Sequence, residues 1–116
     1  MTIPQVASRD DVQVAARLFR GLAEPTRLAL LTALRDGERT VSELMSAVGA
    51  SQSGVSGHLA CLRDCGLVTS RPGPGRSVWY RLASPRLQAL LRAAEELLAD
   101  GGHPVTLCAE QGRRPR

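Results

Sequence analysis

The run from Thr40 to Gly66, TVSELMSAVGASQSGVSGHLACLRDCG, limits the possible folds more than any other part of the chain. Thr40 and Ser51 are residues whose side chains accept from the free N–H groups of a first helical turn. Each precedes a stretch with apolar residues at helical spacing, and each stretch ends in a glycine, Gly49 or Gly66. Two short helices joined through a Gly-containing turn of three or four residues have the shape of a helix-turn-helix unit. Val41, Leu44 and Val48 are predicted as the buried side of the first, and the second would be the reading helix.

Flanking segments complete a small domain. Ser8 with Asp11 resembles a capping box, and Val12, Ala15, Phe19 and Leu22 recur at helical spacing until Gly21 and the following turn weaken the pattern. Pro25 opens a second helix with an apolar stripe at Leu28, Leu31 and Leu34, stopped by Gly37. Behind the reading helix, LVTSR and RSVWYRL alternate like strands around the breaker-rich PGPG, giving a basic hairpin, or wing, with Arg71 and Arg76 on either side of its tip. Trp79 and Tyr80 read as strand residues at the wing root. Leu87, Leu90, Leu91, Ala94, Leu97 and Leu98 mark a last helix from about Pro85 to Asp100.

The expected fold is therefore mainly α with a small β-hairpin, a winged helix-turn-helix of order α-α-α-α-β-β-α. Residues 1–100 form the DNA-binding and dimerisation domain, and residues 101–116 form a flexible tail. The first and last helices carry more apolar surface than so small a core can cover, which points to a two-fold homodimer through them.

Composition narrows the function. The 116 residues allow one modest core. No run is long and apolar enough for a membrane span, and the start lacks the order of a secretory signal, so the chain reads as soluble and cytoplasmic. The net charge of +4 comes from fifteen arginines without a lysine. Arginine's planar fork suits phosphate and base edges, so this balance permits nucleic-acid binding without proving it.

Turned at about 100° per residue, the reading helix has three sides. Val55, Leu59 and Leu62 face the core. Gln52, Ser53, Ser56, Ala60 and Arg63 form a side of small or hydrogen-bonding groups able to approach a major groove. The expected DNA-binding set is Ser51, Gln52, Ser53, Ser56, His58, Arg63, Arg71 and Arg76. His58, Cys61 and Cys65 share the third side. Cysteines at i and i+4 point the same way, so their sulfurs can converge on one ion, although free cysteine is also a common core residue. A helix cannot wrap a third ligand around the ion, so a mobile segment must complete such a site. Cys108, in the tail of either subunit, could supply it. Thiolates favour cadmium, lead, zinc, copper(I), mercury or arsenite over hard cations. His103 is a lesser candidate.

The run from LAEPTR to LRDCGLV, followed by GRSVWYRL, resembles the ArsR/SmtB family of winged-helix, metal-responsive transcriptional repressors over about residues 17–98. The Cys-x3-Cys of CLRDCG with one tail cysteine is similar to the CmtR-type branch that senses cadmium and lead. That resemblance implies metal ligands at Cys61 and Cys65, and at Cys108 from the other subunit. It also implies a repressor that binds operator DNA when metal-free and is released by cadmium or lead, with no enzymatic activity. The cysteine motif that other members carry on the third helix is absent from SELMSAV, and the last helix has no histidine for their zinc or nickel sites. A thiol-based redox or persulfide sensor of the same fold is the competing reading. It would need Cys108 or local unwinding, because two cysteines on successive turns of an intact helix meet disulfide geometry poorly.

Overall fold

The computed structural model describes residues 7–107. Five helices and a three-stranded antiparallel sheet follow in the order α1 (Arg9–Ala23), α2 (Pro25–Ala33), β1 (Arg39–Thr40), α3 (Val41–Val48), α4 (Gln52–Asp64), β2 (Val68–Pro72), β3 (Val78–Leu82) and α5 (Arg86–Asp100). A 3₁₀ turn, Leu34–Asp36, extends α2.

Local chemistry sets most boundaries. Ser8 Oγ accepts from Asp11 N at the start of α1, Glu24 Oε1 from Arg27 N at the start of α2, and Ser51 Oγ from Gly54 N at the start of α4. Thr40 and Glu43 form a complete capping box on α3, which satisfies two orphan N–H groups reciprocally. Gly49 ends α3 in the left-handed conformation. Helix α4 closes one residue earlier than its glycine suggests, with Cys65 as the C-cap and Gly66 at φ 77°.

Two findings differ from the sequence reading. The wing has a third strand: β1 pairs with β3 as Arg39↔Tyr80 and Thr40↔Trp79, in the sheet order β1-β3-β2. Two residues are too few for an alternation signal, yet Thr40 both ends β1 and caps α3, so the wing root is hydrogen-bonded to the start of the helix-turn-helix. Gly21, in turn, does not end α1. The helix runs on to Ala23 with Gly21 buried, and a Cβ there would stand 2.8 Å from Leu67 Cδ1. The glycine is a close approach, where only a hydrogen fits.

Leu30, Leu31, Leu44, Val55, Leu59, Leu62 and Val68 are fully enclosed, so α2, α3, α4 and β2 share one core. Each such side chain contributes about 1.5–3 kcal/mol of transfer free energy. By contrast Val12, Val14 and Phe19 on α1 and Leu97 and Leu98 on α5 are exposed. Between these helices runs an apolar groove of about 580 Å³, lined by Phe19, Leu22, Leu28, Leu90 and Leu98 among others. After α5 the chain turns back through Gly102, His103 N donates to Leu98 O at 2.8 Å, and Val105 and Leu107 join the groove wall. Among the described residues no helix is long and apolar enough to cross a membrane.

Candidate functional site

Helix α4 separates two chemistries. At about 100° per residue, Gln52, Ser56 and Arg63 fall on a side nearly opposite to Cys61 and Cys65, with Val55, Leu59 and Leu62 between them on the core side. The structure agrees: the three apolar residues are at 0% exposure, Gln52, Ser56 and Arg63 are exposed, and the two cysteines are half-buried.

A concave groove of about 450 Å³ lies between the N-terminal ends of α3 and α4 and the wing. Of the eight residues expected to meet DNA, it gathers Gln52, Ser56 and Arg76. Sequence reading missed its other wall, which includes Thr40, Ser42, Ser77 and Tyr80. Thr40 offered a signal only as a helix cap. Helix N-termini present free N–H groups and a positive end, so a groove bounded by two of them and by Arg76 suits a phosphate-bearing partner.

The other five expected residues stand apart from that groove. Ser51 Oγ is occupied in capping α4 and lies 3.4 Å from Ser53 Oγ. Arg63 Nη1 reaches Ser70 Oγ at 3.4 Å. His58 Nε2 faces Glu24 Oε1 at 3.8 Å, which places it beside the cap of α2. Arg71 donates from Nε and Nη2 to Glu38 at 2.7 to 3.1 Å, and its guanidinium carbon sits 5.7 Å above the Trp79 ring centre. That bond and the Arg71 charge hold the Glu38 carboxyl below its ordinary range.

On the opposite flank Cys61 and Cys65 are free thiols. Cys65 N donates to Cys61 O at 3.0 Å, which keeps the last turn closed. Burial, and then the neighbouring Cys61, push the Cys65 thiol above its usual value, while Arg17 and Arg27 pull it back. Cys65 Sγ lies 3.8 Å from where a Cβ on Gly21 would stand. Arg27 fastens this junction by donating to Gly21 O at 3.2 Å and Arg20 O at 3.0 Å, at the end of α1.

Two thiols on one ridge fit a soft cation, which displaces their protons on binding. Two ligands do not complete a sphere. Among the described residues no group of three or more His, Cys, Asp or Glu side chains could hold a metal ion, and Cys108 lies outside them. His103, at the turn after α5, is exposed.

Residues 24–70 match the family described as bacterial regulatory protein, arsR family. A probable mercury resistance operon repressor of Streptomyces lividans is 44% identical over 93 residues, 80% of this chain and 74% of that protein. The chain belongs to the arsR family.

This arsR-family protein is thus a transcriptional regulator and not an enzyme. It is 47% identical over 76 residues, 66% of its length, to the regulator CmtR of Mycobacterium tuberculosis, of which it spans 64%. Among solved structures it is similar to HlyU of Vibrio cholerae, with TM-score 0.70 and 35% identity over 79% of this chain and 99% of that one. A homodimeric winged helix-turn-helix DNA-binding domain of Mycobacterium bovis superposes with TM-score 0.68 at 32% identity, covering 84% of this chain and 95% of that one. The arsR-family fold is accordingly the winged helix-turn-helix expected from the sequence.

Proposed function

We propose that this protein is a homodimeric repressor whose metal-free form binds operator DNA and whose DNA affinity falls when a thiophilic ion, cadmium or lead, is held by Cys61, Cys65 and Cys108. The observation that carries this reading is the division of α4: groove residues on one side, and on the other a thiol pair of which Cys65 packs on α1 at Gly21.

In the repressing state α4 enters a major groove with Gln52, Ser53 and Ser56 toward base edges, while Arg63 and Arg76 meet phosphates. Two copies joined through α1 and α5 present two such helices to inverted half-sites, and the exposed Val12, Phe19, Leu97 and Leu98 supply the apolar contact. Cys61, Cys65 and Cys108 would hold the ion, which would supply a centre that draws thiolates together. Cys65 lies against α1 at Gly21, so a change in the packing of that thiol bears on the helix that joins the two copies.

Phe19 and Ala23 line the apolar groove beside Leu107, whereas Gly21, on the far side of the helix, faces Cys65. Cys108 of either subunit completes the set. DNA and metal weaken each other by the same factor, with a typical coupling of about 1–3 kcal/mol.

The test is operator binding by the wild type, Cys61→Ser and Cys65→Ser, each with and without cadmium. Retained DNA binding with loss of the cadmium response is expected for both variants. Cadmium-driven release equal to wild type in both removes the site, and release by peroxide but not by cadmium transfers the thiols to the redox reading.

A further inference from the structure

We propose that Glu38 is a specificity-determining residue: by masking Arg71 it closes the outer face of the wing to DNA phosphates, so that a duplex binds where α4 can read it. The inference rests on the operator-binding reading above and adds to it a residue that acts by withholding a contact.

The wing sheet has two faces. Successive side chains of a strand point to opposite sides, and residues directly opposed on neighbouring antiparallel strands share one. The pairs Ser70↔Tyr80 and Pro72↔Val78 therefore belong to one face, and Thr69↔Arg81 and Arg71↔Trp79 to the other. Val78 and Tyr80 line the groove shared with α3 and α4. Arg71 and Arg81 accordingly stand on the outer face, turned away from that groove. Phosphate contacts carry affinity but no direct sequence information. A duplex held on the outer face would be bound without being read by α4.

Arg71 is withdrawn from such a contact. Its Nε donates to the two Glu38 oxygens at 2.9 and 3.1 Å, its Nη2 to Glu38 Oε1 at 2.7 Å, and its Nη1 to Pro72 O at 3.3 Å. The guanidinium also lies 5.7 Å from the Trp79 ring centre, within cation–π range. Every nitrogen is thus engaged although the side chain is 54% exposed. An isolated surface ion pair contributes little, and a bidentate arginine–carboxylate pair is the exception. The loop that carries Glu38 is braced on both sides: Gly37 N donates to Leu34 O at 3.2 Å, and Arg39 Nε to Ala33 O at 2.9 Å. The Arg71 hydrogen bonds first, then the charges of Arg71 and Arg81, hold the Glu38 carboxyl below its ordinary range against partial burial. One carboxylate therefore offsets both cations of the outer face.

The test uses the full-length protein, a duplex that the wild type selects from a random-sequence pool, and a scrambled duplex of equal length and base composition. Glu38→Gln is expected to raise affinity for the scrambled duplex on the order of 5-fold at about 0.1 M salt, up to the share of one phosphate contact. Its salt dependence should steepen more than that of the selected duplex, whose affinity should rise by no more than about 2-fold, so the ratio of the two falls. Glu38→Ser should behave alike, which covers a glutamine that disturbs the loop. Glu38→Gln/Arg71→Gln removes both charges and should restore the wild-type ratio, with the Trp79 emission maximum unmoved. An unchanged ratio in both single variants overturns the inference, as does a ratio that the double variant leaves low. A drop in affinity for the selected duplex with a shifted Trp79 emission makes Glu38 a brace of the wing and overturns it as well. A wild type that prefers no duplex to the scrambled one overturns operator binding itself, which separates that failure from the failure of the Glu38 assignment.

Discussion

Glu38 and Arg71 form a bidentate pair, Nη2 to Oε1 at 2.7 Å and Nε to Oε2 at 2.9 Å, across the face of Trp79. Arg71 sits opposite Trp79 in the β2–β3 register, and Trp79 opposite Thr40 in β1–β3, so Glu38 before β1 reaches across the sheet to β2. The two wing arginines are therefore unequal. Arg76 makes no hydrogen bond or ion pair among the described residues.

Arg76→Ala is expected to weaken operator binding and to reduce the slope of log affinity against log salt by about 0.9, the share of one phosphate contact. Arg71→Ala should change that slope by less than half as much, while Glu38→Gln, which releases the guanidinium, should steepen it. Binding isotherms between low and moderate salt measure all three.

Cadmium affinity should rise with pH. Metal binding expels the thiol proton, and the upward displacement of Cys65 by burial and Cys61 extends the dependence beyond the range of an ordinary thiol. The same displacement acts on stability with opposite sign. The folded state holds the Cys65 proton more tightly than the unfolded chain, so this contribution is present below the ordinary thiol pKa and lost as pH climbs through the raised one. Cys65→Ser should flatten both profiles, read by metal competition and by urea unfolding across the alkaline range.

Gly21→Ala sets two effects against each other. Alanine gains about 1 kcal/mol of helix propensity over glycine, but its methyl would lie 2.8 Å from Leu67 Cδ1, in a core residue only 5% exposed. Overpacking of this kind costs about 1–3 kcal/mol. A net loss of about 1 kcal/mol in urea is expected, together with a weaker cadmium effect on DNA binding.

Gly73→Ala should disrupt the wing. Its Cβ would fall 2.3 Å from Trp79 Nε1, a buried N–H that has no hydrogen-bond partner among the described residues. The indole has to move, and the Arg71 stack with it. Trp79 is the single tryptophan of the chain, so a red-shifted emission maximum and a more quenchable fluorophore report the displacement directly.

What the sequence revealed was local. Ser8, Thr40 and Ser51 declared helix starts because capping joins residues three apart, and Gly49 and Gly66 declared ends through positive φ. The spacing of Cys61 and Cys65 located a shared ridge for the same reason. What it concealed was tertiary. Strand β1 is two residues long and exists through its pairing with Trp79 and Tyr80. Glu38 and Arg71 are 33 positions apart, and Arg35 and Glu95 are 60; no periodicity links such pairs. Gly21 looked like a break because glycine is a poor helix former, whereas the packing of Leu67 is what requires it.

The Arg27 fastening at Arg20 and Gly21 makes α1 a lever with its fulcrum beside the thiols. From Gly21 to Arg9 the helix extends about 18 Å, so a tilt of about 5° at the junction displaces the far end by about 1.5 Å. In the proposed dimer through α1 and α5, a displacement too small to disturb the core of one subunit would thereby be enlarged where the two subunits set their spacing.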